Sequence, residues 1–301
     1  MPDRSRLDEV LSRCAAGLLP VRVAAMHLMM ETDSPESAQA AVVRALETSA
    51  MPAAGRLQDL ERIVTEHPQA WTTVHAILAT VEHRAAAGDP VARWAGLFDA
   101  AVRISPEGSV ALYSLGSAEL LAAATLEVVS LLSRWDLLGL DRTVLDVGCG
   151  IGRLEAALAP LSAAVIGIDI SPGMIAEART RCAGLLNVRL FLGNGHDFTG
   201  IADGSADLAV LVDTFPYLLL SEGGVAADYL AEISRVLPAG GDLVILNYSY
   251  RGDVGADRAD LERLAGPLDL RLARVAERAF PSWDAPAFHL VKSAASAHVR
   301  Q

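Results

Sequence analysis

The sequence predicts an α/β protein, with a seven-stranded, mostly parallel sheet covered by helices on both faces and preceded by an all-α segment. Three observations carry this. From about residue 7 to 136 apolar residues recur at spacings of three and four, which lines one face of a helix. After residue 140 short β-rich runs alternate with helical segments, the pattern of βαβ units in a parallel sheet. Finally, the runs 268–275 and 287–292 flank Phe280-Pro281-Ser282-Trp283-Asp284 with no helical pattern between them, which reads as an antiparallel pair closing the sheet. The expected division is a helical segment over 1–110 and a second domain over 111–301.

Helix signals appear in order along the first segment. Asp33-Ser34-Pro35-Glu36 places a capping residue before a first-turn proline, and Ala38, Ala41, Val42, Ala45 and Leu46 follow on one stripe. Leu57, Leu60, Ile63 and Val64 mark a second helix, and Trp71, Val74, Leu78 and Val81 a third. Gly88-Asp89-Pro90 ends that one and starts a fourth with Val91, Trp94, Phe98 and Ala101. Core packing of this segment is the default expectation for Trp71, Trp94 and Phe98. Ser105-Pro106-Glu107-Gly108 is expected to break the helical pattern, and a last long helix over about 117–135 leads to Gly139. Beyond it the expected parallel strands are 143–147, 164–169, 188–192, 207–213 and 242–247.

Composition narrows the function. Of 301 residues 52% are hydrophobic and 21% charged, so a disordered chain is excluded. The formal net charge of −12 opposes phosphate backbones and anionic lipid, so no nucleic-acid partner is expected. No run looks like a membrane span or a secretory signal, and no membrane association is expected. Cys14, Cys149 and Cys182 form no Cys-x-x-Cys, which fits a reducing cytoplasm. His75 and His83 lack a nearby third ligand, so no metal is expected.

The decisive stretch is Val144-Leu145-Asp146-Val147-Gly148-Cys149-Gly150-Ile151-Gly152-Arg153, a buried strand running into alternate glycines and then a helix. Glycine permits positive φ and lets a ligand lie directly against the main chain. A dinucleotide fingerprint starting at Gly148 would end in glycine, whereas that position is Arg153. Asp146 before the turn would repel a pyrophosphate and attract a cationic or zwitterionic ligand.

With these residues the chain resembles the class I S-adenosylmethionine-dependent methyltransferases, a Rossmann-like family, over roughly residues 110–295. The resemblance implies S-adenosylmethionine as cofactor and S-adenosylhomocysteine as product. It places Asp146, Gly148, Gly150 and Gly152 around the cofactor's amino-acid part. Asp169, in Ile166-Gly167-Ile168-Asp169-Ile170-Ser171, suits both ribose hydroxyls, with Ile170 beside it and Met174 against adenine. Asn194-Gly195 in Gly193-Asn194-Gly195-His196-Asp197-Phe198 stands where the family often has Gly-Asp-Ala at the adenine amino group, and Asp197 is the alternative there. Val212-Asp213-Thr214-Phe215-Pro216-Tyr217 ends the fourth strand, with Asp213 near the cofactor. Arg235-Val236-Leu237-Pro238-Ala239-Gly240-Gly241 looks like the family's turn before the fifth strand, with the proline displaced by one. Tyr113 stands where many small-molecule methyltransferases carry an aromatic over the cofactor, and packing is its alternative.

Methyl transfer from a sulfonium is an in-line displacement, so the enzyme mainly holds the acceptor about 3 Å from the methyl carbon. A hydroxyl or ammonium acceptor also needs a base, for which Asp213, Tyr217, Tyr248 and His289 are the candidates. Tyr250, like Tyr248, follows the fifth strand and can reach the same region. The expected partner is a small-molecule methyl acceptor. The helical segment is expected to act as a lid, a substrate collar or a homodimer contact. The alternatives are an assembly or regulatory protein that binds the cofactor without turnover, and a methyltransferase for protein or nucleic acid.

Overall fold

The computed structural model describes residues 4–82 and 89–294. By contact the chain divides into two units. One draws on Met1–Ala87, Leu97–Glu127 and Phe280–Asp284, the other on Gly88–Gly96, Val128–Ala279 and Ala285–Gln301. The expected residues His83 and Gly88 lie outside the described residues.

Eight helices precede the first strand among the described residues: α1 (Arg4–Ala15), α2 (Val21–Met30), α3 (Pro35–Glu47), α4 (Ala53–Glu66), α5 (Ala70–Glu82), α6 (Pro90–Ile104), α7 (Pro106–Val110) and α8 (Ala118–Arg134). Ser34 caps α3 by accepting from the Ser37 N–H, and Ala38, Ala41 and Val42 form its buried stripe. The stripe of α4 is Leu57, Leu60 and Val64. On α5 the Trp71 indole donates to Thr32 O at 3.1 Å, and His75 Nε2 is 2.8 Å from Met29 O, so both are packing residues. Ser105-Pro106 begins a helix instead of breaking one, because Ser105 Oγ accepts from Gly108 N at 3.0 Å and caps α7. Trp94 also departs from expectation. It belongs to the second unit, where its indole donates to Ser221 Oγ at 3.0 Å.

The second unit holds the seven-stranded sheet: β1 (Gly139–Val147), β2 (Ser162–Asp169), β3 (Val188–Leu192), β4 (Leu208–Val212), β5 (Asp242–Leu246), β6 (Leu270–Ala276) and β7 (Ala287–Lys292). The order is β3-β2-β1-β4-β5-β7-β6; β1 to β5 pair in parallel, and β7 pairs antiparallel with both β5 and β6. The helices between the strands are α9 (Arg153–Leu158), α10 (Pro172–Arg181), α11 (Phe215–Leu220), α12 (Val225–Val236) and α13 (Val254–Ala265). Leu145, Val147, Ile166 and Ile168 join Phe215, Ile233, Tyr248 and Phe288 in one buried cluster. Each such aliphatic side chain contributes about 1.5–3 kcal/mol on burial. Alternation along β1 turns Val144 and Asp146 to the opposite face. Strand order reverses between β1 and β4, and in open α/β sheets ligands bind at the carboxyl ends of the strands at that point. No helix among the described residues is long and apolar enough to cross a membrane.

Candidate functional site

The turn after β1 is built by three glycines with positive φ, at 81° for Gly148, 53° for Gly150 and 74° for Gly152. Gly148 N donates to Ile168 O at 2.8 Å, which ties the turn to β2. A Cβ on Gly148 would sit 2.3 Å from Thr214 Oγ1, so this glycine lets the turn lie against the loop after β4. One on Gly152 would sit 2.9 Å from the Ala178 Cα, so the third glycine admits α10. Arg181 of α10 donates to Ile151 O at 3.1 Å, clamping the same turn. The helix that follows, α9, is only six residues long, so its dipole adds little; the turn's backbone shape does the positioning.

Carboxylates surround this turn. Asp169, at the end of β2, accepts from Gly150 N at 2.9 Å and from Ser171 N at 2.8 Å. Half-buried at the strand end, it is suited to hold two vicinal hydroxyls. Asp146 is buried, and its Oδ1 has no hydrogen-bond partner. Burial pushes its carboxyl up to about 7, against the attraction of Arg153. Beside it lies Glu155 of α9, fully buried, with both oxygens unpartnered and its carboxyl raised well above the usual range by burial and by Asp146. An orphaned buried acceptor, a carboxylate placed for a diol and a turn with glycine at every second position fit a cationic amino-acid nucleoside, and disfavour a diphosphate.

Across the β1/β4 switch, Asp213 Oδ1 accepts from Asn247 Nδ2 at 2.7 Å and from the Tyr250 hydroxyl at 3.1 Å. Asp213 and Asn247 directly follow β4 and β5 with φ of 58° and 65°, strained for residues other than glycine. Tyr217 packs edge-on against Trp94 (5.0 Å between ring centroids) and Tyr250 (6.0 Å). Burial, reinforced by the Asp213 charge, pushes the Tyr217 phenol up to about 12, so it stays a neutral donor. The cluster therefore offers one carboxylate, neutral hydroxyls and aromatic edges.

Other expected residues are placed differently. Met174 is buried in α10, capped by Ser171, and Ile170 is half-buried. The Asn194 carboxamide oxygen accepts from His196 N at 2.8 Å and Asp197 N at 3.0 Å, so it folds its own loop instead of reaching outward. Asp197 is taken up in turn by Asn194 and Thr199. Gly195 has φ 80°, and a Cβ there would meet Val91 at 2.3 Å, so it serves packing. Tyr113 lies in the helical unit and stacks on Trp283 at 5.5 Å.

Two base candidates are not brought to the cluster. Tyr248 is fully buried, stacked on Phe215 at 4.8 Å, and its hydroxyl has no partner; burial pushes the phenol up. It is a core residue because its side chain takes the inward side of the chain leaving β5. His289 is 2.8 Å from Asp242 Oδ1 at the amino end of β5. Five residues at about 3.3 Å each put that end some 16 Å from Asn247.

Sequence reasoning missed Asn247, Thr214 and Glu155. The first two follow strand ends with no motif. Glu155 sits in a helical run where a carboxylate reads as a solvated face. Its one available signal is the glycine Gly167, which pairs with Asp146 across β1 and β2.

Residues 144–241 match the family model described as "Methyltransferase domain". A demethylmenaquinone methyltransferase of Tropheryma whipplei (strain Twist) is 37% identical over 107 residues, 36% of this chain and 42% of that protein. The protein of that name from Corynebacterium kroppenstedtii is 36% identical over 106 residues, 35% of this chain and 42% of the relative. The chain thus spans about two fifths of the length of these curated relatives. Among solved structures, the magnesium protoporphyrin IX methyltransferase of Synechocystis PCC 6803 aligns with TM-score 0.52 and 20% identity, over 69% of this chain and 99% of that one, a likeness of fold. The glycine turn, Asp146, Glu155 and Asp169 thus lie within the stretch of the chain that matches a methyltransferase domain.

Proposed function

We propose that this chain transfers a methyl group from S-adenosylmethionine to a small-molecule acceptor held at the carboxyl ends of β4 and β5. The observation that carries this is the Asp213–Asn247–Tyr250 cluster next to the glycine turn, with Thr214 in contact with Gly148. When bound, the cofactor supplies an activated methyl on a sulfonium. Gly148, Gly150 and Asp146 would hold its amino-acid part, Asp169 its ribose, and Ile170 and Met174 its base. Asp213 accepts a proton from a hydroxyl or ammonium acceptor, while Tyr217 and Tyr250 donate hydrogen bonds that orient it. The aromatic edges of Trp94, Tyr217 and Tyr250 favour a flat ring, in keeping with the ring-bearing substrates in the names of the demethylmenaquinone and protoporphyrin methyltransferases.

We further propose that the helical segment, expected over 1–110, acts as a lid, a collar or a dimer contact, and light scattering of the whole chain separates the last of these from the other two. Methyl transfer itself is tested by incubating the protein with methyl-labelled cofactor and a panel of phenols, quinols and amines. Label in an acceptor together with S-adenosylhomocysteine is the expected result. Cofactor binding without product across the panel would favour a binding protein without turnover.

A further inference from the structure

Glu155 is a fully buried carboxyl that the proposed chemistry leaves unused. Asp146 on β1 pairs in register with Gly167 on β2, and both face the side of the sheet away from the main apolar cluster. Gly167 has no side chain, and a Cβ there would meet Glu155 Oε1 at 2.5 Å. The missing side chain is therefore the space that the Glu155 carboxyl fills. Neither Glu155 oxygen nor Asp146 Oδ1 has a well-formed hydrogen bond to another side chain, although the two carboxyls are within hydrogen-bonding reach of each other and the backbone donor near the Glu155 carboxyl is its own N–H. Two buried carboxylates so placed cannot both be charged, and one proton between them satisfies both.

We propose that Glu155 shares a proton with Asp146 beside the glycine turn and that the pair releases it when the cationic cofactor binds, so that Glu155 tunes the preference for the sulfonium form over the neutral thioether product. This rests on the methyl-transfer reading for the identity of the ligand. S-adenosylmethionine carries a net positive charge, from its sulfonium and ammonium against one carboxylate, whereas the thioether zwitterion has none. A nearby positive charge favours the deprotonated pair, and linkage makes the pair's deprotonation favour that charge.

The other ionisable groups around Glu155 leave this role to the pair. Arg153 on α9 attracts Asp146, and Asp169 at the end of β2 repels both carboxyls. Cys149 in the turn and Cys182 on α10, the latter beside Arg181, are pushed up by burial and stay neutral thiols. Glu155 is thus a positioning residue that acts through Asp146.

The test is calorimetric titration of the whole chain with S-adenosylmethionine and with S-adenosylhomocysteine between about pH 5.5 and 8.5, in buffers of different ionisation heat. The wild type is expected to release up to one proton on binding the sulfonium form, whose Kd tightens by at most about tenfold per pH unit, with a smaller slope for the thioether. Glu155→Gln keeps the shape, donates to Asp146 and is expected to flatten the slope. Glu155→Leu is the second variant should the first fold poorly. Melting of the ligand-free protein gives a readout independent of the cofactor: the wild type loses stability as pH rises through about 7, and Glu155→Gln does not. Wild-type binding with no slope and no proton release, or a slope kept in Glu155→Gln, overturns the role of Glu155 and leaves the methyl-transfer reading intact. Binding of neither ligand overturns both.

Discussion

Asn247 donates its Nδ2–H to Asp213 Oδ1 at 2.7 Å, joining the ends of two adjacent strands through residues that both hold left-handed backbone angles. Such angles cost about 1–3 kcal/mol each in residues other than glycine and persist where surrounding bonds enforce them. Here the enforcing bonds include Asp213 N to Leu246 O and Asn247 N to Pro286 O, both at 2.9 Å. The strain therefore fixes the direction of one carboxylate at the point where the strand order reverses.

Asp213→Asn is expected to lower kcat by about 10²-fold or more for a hydroxyl or ammonium acceptor, with cofactor affinity little changed. Steady-state kinetics together with direct cofactor titration check this. Unchanged turnover would remove Asp213 as the base.

Asp169→Ala is expected to weaken cofactor binding by about 1–3 kcal/mol, since a charged acceptor is lost from the diol and Gly150 N loses its partner. Calorimetry measures it directly. Unaltered affinity would rule out the ribose role.

Gly148→Ala and Gly184→Ala separate strain from collision. Their φ values, 81° and 85°, are nearly the same, but an added Cβ meets Thr214 at 2.3 Å in the first and nothing within 4 Å in the second. Denaturant unfolding should show a loss of about 1 kcal/mol at Gly184 and about 2–4 kcal/mol at Gly148. Equal losses would mean that Thr214 moves aside freely.

Two buried groups make stability depend on pH with opposite signs. Burial would raise the Asp242 carboxyl, but hydrogen bonds from His289 and Arg142 outweigh it and hold the carboxyl below its ordinary 3.8. Its contribution is complete above that value and is lost as the pH falls through the lowered folded value. The Asp146–Glu155 pair is raised, so its contribution is present below the ordinary carboxylate range and is lost as the pH rises through about 7. Melting temperature against pH should therefore peak on the acid side of neutrality, and Asp242→Asn should flatten only the acid limb.

Much of the sheet was legible because parallel strands buried on both faces read as apolar runs; β4 and β5 lie within the expected 207–213 and 242–247. The glycine turn and Asp169 were legible because backbone geometry demands those residue types. What escaped depends on contacts between distant segments. Trp94 follows a helical stripe, yet its partners Tyr217 and Ser221 lie more than a hundred residues away. Asn194 matches a motif position, but its own loop takes both lone pairs of its oxygen. His289 and Tyr248 follow no rule that separates a catalytic side chain from a core one before strand pairing is known.

Titration of the purified chain with S-adenosylmethionine, with a nicotinamide dinucleotide in parallel, tests the central claim most directly. Saturable one-to-one binding of the sulfonium nucleoside, lost in Gly150→Val, and no heat from the dinucleotide is the result this account predicts. Binding of the dinucleotide instead, or of neither, would contradict it.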